Sequence, residues 1–273
     1  MAITIERLDL GTITLDRSFL VRGRTSGTCQ TVPVYAFLIR GAGGPIVVDT
    51  GMRNCGVIER IGMRAEISES QALEAQLRRF DLSFSDVGLV LQTHLHVDHS
   101  GGIRFFPPRT PVVVNRSESA FADSGTQGLF YAPEDLADLR ARASAGLRFL
   151  DLERTGPVEI APDIVCELAG GHTPGMMFVR VRTSAGVATI CSDVVYDVQD
   201  QLVRPMQTPP GEPEISNNTT WPLDAERAAI RRALAGTALL LPSHCSAARI
   251  AGGRVIAVLD RLPSGAAPGG PPG

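Results

Sequence analysis

The sequence predicts an α/β fold in which two stacked sheets carry helices on their outer faces. Three observations lead there. Short β-branched stretches bounded by turn residues recur along the chain, only a few helical patterns separate them, and 273 residues with 44% hydrophobic content suffice for one sizeable core.

Taken in order, strands are expected at Ile3–Leu8, Val32–Ile39, Ile46–Asp49, Val87–Gln92, Pro111–Asn115, Ile164–Leu168, Met177–Arg182 and Val187–Cys191. A helix is expected over Ser70–Phe80, where Leu73, Leu77 and Phe80 share one face, and another over Pro133–Ala145, where proline suits the first helical position. A third should begin near Asp224, with Asp224 as N-cap and Leu223 and Ala228 at the staple positions. Residues 197–222 form a long proline-rich connection, a length associated with lids, binding loops or disorder. The last residues, PSGAAPGGPPG, carry no core-forming side chains, so 263–273 are expected to be a disordered tail after a single domain spanning 1–262.

Composition narrows the function. A formal charge of −3 argues against a nucleic-acid binder, which displays a concentrated basic face. No stretch approaches the roughly 20 apolar residues that span a bilayer, and MAITIERLDLGTITLDR lacks the apolar centre of a secretory signal. A soluble, cytoplasmic protein without membrane partners is expected. In that setting the sequon at Asn217-Asn218-Thr219 is incidental. Cys29, Cys55, Cys166, Cys191 and Cys245 are odd in number and lack C-x-x-C spacing, which suits reduced structural thiols.

The strongest signal is QTHLHVDHSGG at 92–102, directly after the apolar run VGLVL. His94, His96, Asp98 and His99 fall within six positions, and a loop at a strand end can turn them inward together. Imidazole nitrogen and carboxylate oxygen are donors that suit zinc. Later loops supply more: His172 in GGHTPG, Asp193 in ICSD and His244 in LLLPSH. The chain has five histidines and all of them lie in these motifs, leaving none for incidental surface use. Seven donors exceed what one tetrahedral site uses, so two Zn2+ ions are expected, other divalent transition metals fitting the same donors. Two such ions against Asp98 and Asp193 leave a positive centre suited to attack on a carbonyl or phosphoryl group.

The ordered set HLHVDH, GGHTPG, Asp193 and His244 resembles the metallo-β-lactamase superfamily over about 33–244. The resemblance implies an αββα sandwich of two mixed sheets with the metals at one edge. It implies one ion on His94, His96 and His172, a second on Asp98, His99 and His244, and Asp193 bridging. It also implies that Asp49, in VVDTG, supports the site without ligating. His96 stands where di-iron members carry glutamate, and Asp193 where one class of β-lactamase carries cysteine. VPVYAFLIRGAGGPIVVDTGM, QTHLHVDHSGG and SDVVY are most similar to N-acyl homoserine lactone lactonases and related small lactonases. That likeness implies ring opening by a metal-bridging hydroxide, with Asp98 moving a proton to the leaving alkoxide and Tyr196, three residues after Asp193, donating a hydrogen bond to the lactone. The chain departs from the lactonase pattern at Met176, where a further histidine is common.

The expected partner is a small lactone or ester. A thioesterase or natural-product esterase is the alternative, and a non-catalytic metal-binding protein a further one. Oligomeric state is left open between monomer and homodimer. Met52, Phe105, Phe106, Met176, Met206 and Trp221 are candidates for an apolar groove, core or loop packing being the commoner use of such residues.

Overall fold

Side-chain alternation along the strands decides which apolar residues meet between the sheets and which face the helices. The computed structural model describes residues 2–143, 146–209, 211–217 and 223–262. One seven-stranded sheet contains β1 (Thr4–Asp16), β2 (Cys29–Arg40), β3 (Ile46–Val48), β4 (Arg64–Glu66), β5 (Leu89–Leu91), β6 (Val112–Asn115) and β7 (Leu147–Leu150), ordered β4-β1-β2-β3-β5-β6-β7. The other contains β8 (Val158–Ala161), β9 (Ile164–Leu168), β10 (Met177–Thr183), β11 (Gly186–Ile190), β12 (Leu239–Leu241), β13 (Ala247–Ala251) and β14 (Arg254–Leu259), ordered from β14 to β8. Both are mixed. β3, β5, β6 and β7 run parallel in the first, and β11 and β12 in the second.

Helices α1 (Arg17–Leu20), α2 (Cys55–Glu59), α3 (Leu73–Arg78), α4 (Arg116–Ser124), α5 (Pro133–Arg140), α6 (Leu152–Thr155) and α7 (Leu223–Leu234) complete the regular elements that carry the argument. On β2, Phe37 and Ile39 point between the sheets, where they join Val48, Leu91, Met177, Val179, Ile190 and Leu241. The alternate residues Ala36 and Leu38 face outward, with Ile58 of α2, Leu77 of α3 and Leu139 of α5. On the far side, Phe178 and Leu240 pack with Ala229, Ile230 and Ala233 of α7. Three apolar layers separate four structural ones, which is the expected αββα sandwich. Burial of each large side chain contributes about 1.5–3 kcal/mol.

Several expectations need correction. β1 continues to Asp16 rather than stopping at Leu8, because Leu10, Ile13 and Leu15 remain buried across a register shift between Asp9 and Thr12. The helix expected over Ser70–Phe80 divides into a 3-10 turn at Glu69–Gln71 and α3. α5 ends at Arg140, short of Ala145. Asp224 is not a cap: α7 begins at Leu223, so Asp224 lies in its first turn, where a negative charge still suits the helix dipole. Part of the 197–222 connection is ordered as a π-helical turn at Gln199–Val203, with Gln201 buried. Trp221 and the tail at 263–273 lie outside the described residues. All five cysteines are free thiols, and among the described residues no helix is long and apolar enough to cross a membrane.

Candidate metal centre

Every candidate donor follows the end of a strand, on one edge of the sandwich. The run from His94 to His99 follows β5, His172 lies between β9 and β10, Asp193 follows β11 and His244 follows β12. β3 runs parallel to β5 and delivers Asp49 to the same edge. The turn after β3 locks the histidine loop, Thr50 N donating to His99 O at 2.7 Å and Gly101 N to Gly51 O at 2.8 Å. A Cβ on Gly101 would lie 2.0 Å from Arg53 N, so this approach requires glycine.

The donors gather into two groups, His94, His96 and His172 in one, and Asp98, His99, Asp193 and His244 in the other. In the first, His172 Nε2 lies 3.0 Å from His96 Nδ1. In the second, His99 Nε2 and His244 Nε2 each lie 3.2 Å from Asp193 Oδ1, and His244 Nε2 lies 3.3 Å from Asp98 Oδ2. Asp193 spans both groups, its Oδ2 standing 3.7 Å from His172 Nε2 and 3.9 Å from His94 Nε2. Donors about 2.0–2.2 Å from a tetrahedral ion stand roughly 3.3–3.6 Å apart, and the spacings here bracket that range, as zinc-class ions require.

The imidazoles are oriented by groups behind them. His99 Nδ1 donates to Asp49 Oδ2 at 3.0 Å, His244 Nδ1 to Pro33 O at 2.8 Å, and His96 Nε2 to Gln127 Oε1 at 2.9 Å. His94 Nδ1 meets Thr93 Oγ1 at 3.1 Å. These contacts engage the outward nitrogen of each ring and turn the other toward the centre, the orientation that metal ligation requires. The Nε2 atom of His94 is buried with no hydrogen-bond partner, which is costly without a ligand. Asp49 stands behind the donors: besides His99 it accepts from Thr93 N at 2.8 Å. Asp49 and Ser192, on the two sheets, both hold left-handed backbone at φ 61° and 46°, conformations that cost energy and persist where surroundings enforce them.

The electrostatics of the groups differ. Burial, then neighbouring imidazoles, lowers His172 to about 3. Burial also lowers His96 and takes His94 well down. For His244 burial acts in the same direction, yet Asp193 and Asp98 outweigh it and raise the ring to about 10. His99 is raised well above its ordinary value by the same carboxylates and Asp49, against burial. Asp193 is held well below the carboxylate range: burial opposes this, and His244 and His99 overcome it.

Tyr196 also lies at the site. Its hydroxyl donates to Asp193 Oδ2 at 2.8 Å, and its ring stacks on His244 at 5.5 Å between centroids. Thus all eight candidate site residues come together. Thr93, Glu118, Gln127 and Ser192 also belong here but carry no spacing that marks them in sequence. In front of the donors opens a narrow cleft, walled by Ile13, Leu15, Leu20, Val32, Ile58, Ile61, Met63 and Phe130. The groove candidates went elsewhere: Met52, Phe106 and Met176 are buried in the cores, Phe105 stacks on Phe84, and Met206 is 69% exposed.

The sequence model of the metallo-β-lactamase superfamily matches residues 30–244, and the chain belongs to that superfamily. Within it the chain stands among the lactonase-like hydrolases. It is 28% identical to an N-acyl homoserine lactonase of Bacillus cereus over 196 residues, covering 68% of this chain and 73% of the relative. It is 30% identical to an N-acyl homoserine lactonase of Rhizobium rhizogenes over 198 residues, covering 64% and 70%. A crystal structure of a quorum-quenching N-acyl homoserine lactone hydrolase superposes with a TM-score of 0.71 at 20% identity, covering 89% of this chain and 93% of that one. A dizinc quorum-quenching lactonase gives 0.66 at 18% identity, with 92% of each chain covered.

Proposed function

We propose that this protein, one domain over 1–262, is a binuclear metal-dependent lactonase that opens N-acyl homoserine lactones or closely related lactones and so quenches the signals they carry. Asp193 carries the binuclear reading, because its two oxygens face different donor groups. His94, His96 and His172 would hold one ion, Asp98, His99 and His244 the other, with Asp193 shared. Bound zinc would supply Lewis acidity and lower the pKa of water toward neutrality.

The chain's own residues do the rest. The cleft joins donors and Tyr196 at one end to apolar side chains at the other, which suits a polar ring with an apolar acyl tail. Asp98, whose side chain is 14% exposed beside His99 and His244, is placed to pass a proton to the departing alkoxide. The Tyr196 hydroxyl, which donates to Asp193 here, would turn its single proton from that carboxylate to the substrate oxygen as charge grows there. The family likeness to lactonases supports the same substrate class.

Elemental analysis of unchelated protein should find about two zinc-class ions per chain. A pH-stat panel of lactones, linear esters, thioesters and β-lactams should release acid fastest from homoserine lactones. Preference for a thioester or β-lactam by orders of magnitude would overturn the substrate, and no turnover with any member would leave a metal-binding protein.

A further inference from the structure

Glu118 lies in the first turn of α4, is fully buried, and among the described residues forms an ion pair with no arginine. An ionised carboxyl in such a place is expensive unless its oxygens are satisfied. They are, and each donor belongs to the metal centre's framework. Leu95 N, between His94 and His96, donates to Oε1 at 3.0 Å. The Tyr131 hydroxyl donates to the same oxygen at 3.0 Å, and the Tyr131 ring packs edge-on against His96 at 4.8 Å. Thr173 Oγ1, next to His172, donates to Oε2 at 2.5 Å.

A second observation shows how closely the helix grips the His172 loop. A Cβ on Gly175 would stand 2.0 Å from Glu118 N, so the glycine of HTPG is what admits the first turn of α4. Asn115, one residue before that helix, donates from Nδ2 to Gly175 O at 3.2 Å. The loop after β5 and the loop after β9 belong to different sheets, and one carboxyl touches both.

We propose that Glu118 is a positioning residue for the three-histidine group, a buried clamp that sets His172 against His94 and His96 by tying their loops together. The inference rests on the metal-binding reading above. It assigns Glu118 no contact with substrate and none with Asp98, His99 or His244.

The test uses full-length holoprotein and the variants Glu118→Ala, Glu118→Gln and Thr173→Val. Stepwise chelator titration is read by elemental analysis and by the visible spectrum of the cobalt-substituted protein. Glu118→Ala should weaken one of the two ions by about 10–100-fold, the scale seen when a group supporting a ligand is lost, and leave the other at wild-type affinity. Thr173→Val, which removes only the Oε2 contact, should show a smaller loss at the same ion. Glu118→Gln should restore most of the affinity, since its amide oxygen still accepts from Leu95 and Tyr131 and its NH2 can donate to Thr173. Equal weakening of both ions, or a wild-type titration for Thr173→Val, overturns the proposal, and the latter decides even where Glu118→Ala fails to fold. Wild-type protein that takes up no divalent ion would overturn the underlying metal reading as well.

Discussion

The donor cradle and the apolar cleft in front of it are built on opposite rules. In the cradle, His99, His244 and His96 are each aimed by a hydrogen bond of 2.8–3.0 Å to a group behind. In the cleft, Leu15, Ile61, Met63 and Phe130 present only apolar surface. Directed contacts fail when one atom is misplaced, whereas apolar contact falls off with area and tolerates exchange. The cradle should therefore set whether reaction occurs and the cleft which substrate profits.

Asp98→Asn gives the largest expected effect. It alters a donor and the proton-transfer group together, so kcat/KM should fall about 10³-fold or more, with loss of metal measured in parallel. An active Asp98→Asn enzyme with full metal would break the distinction at its strongest point. Tyr196→Phe should cost roughly 10-fold in kcat/KM, less than the usual loss of about 10²–10³-fold for an oxyanion donor because bound ions would carry much of the charge. Because the hydroxyl also donates to Asp193, metal content needs measuring in the same preparation. Turnover lost with metal retained assigns the hydroxyl to substrate; turnover and metal lost in proportion assign it to Asp193.

Smaller effects belong to the cleft. Ile61→Ala and Met63→Ala should change KM by about fourfold for each substrate methylene that gains or loses contact, with kcat held within about twofold. Kinetics across an acyl-length series would expose the opposite result, a kcat collapse that puts these residues in the cradle.

The smallest effect on turnover is expected at Glu226 in α7, a buried polar group outside both regions. Burial raises its carboxyl to about 7 from an ordinary 4.5, the hydrogen bond from Ser216 N opposing. Between those values the folded protein holds a proton that the unfolded chain has released, so stability falls as pH rises and the loss is complete above about 7. The window is worth about 3 kcal/mol. Glu226→Gln lacks this dependence, so thermal melts should show wild type losing several degrees relative to the variant between pH 4.5 and pH 8. Parallel melting curves would show that the carboxyl carries no such penalty.

The same contrast explains what the sequence revealed. Metal coordination admits few residue types, and His94, His96, His99, His172 and His244 are the chain's entire stock of histidine, so the cradle was legible down to its residues. The cleft was not. Its walls come from β1, β2, α1, α2 and the turn at Ile61 and Met63, remote in sequence, where any apolar side chain of suitable size serves. Met176 and Phe106 looked equally suitable and are buried away from the cleft. The supporting groups were hidden for another reason: Gln127 and Glu118 act through position alone, and α4, RSESAFADS, has Phe121 as its one large apolar side chain, too few to mark a stripe. Strands as short as Arg64–Glu66 and Leu239–Leu241 have too few residues to display a period.

Each sheet is assembled from one uninterrupted block of chain, Thr4 to Leu150 for the first and Val158 to Leu259 for the second. All ladders can therefore close within a block, at low loop-closure entropy, before the blocks meet. The donors are divided between them, four on the first block and His172, Asp193 and His244 on the second. Neither block alone holds more than a partial donor set, so tight uptake of metal should follow docking of the sheets in refolding. Ions that bind only the docked form would favour it by mass action, acting as reversible cross-links in a chain whose cysteines form none.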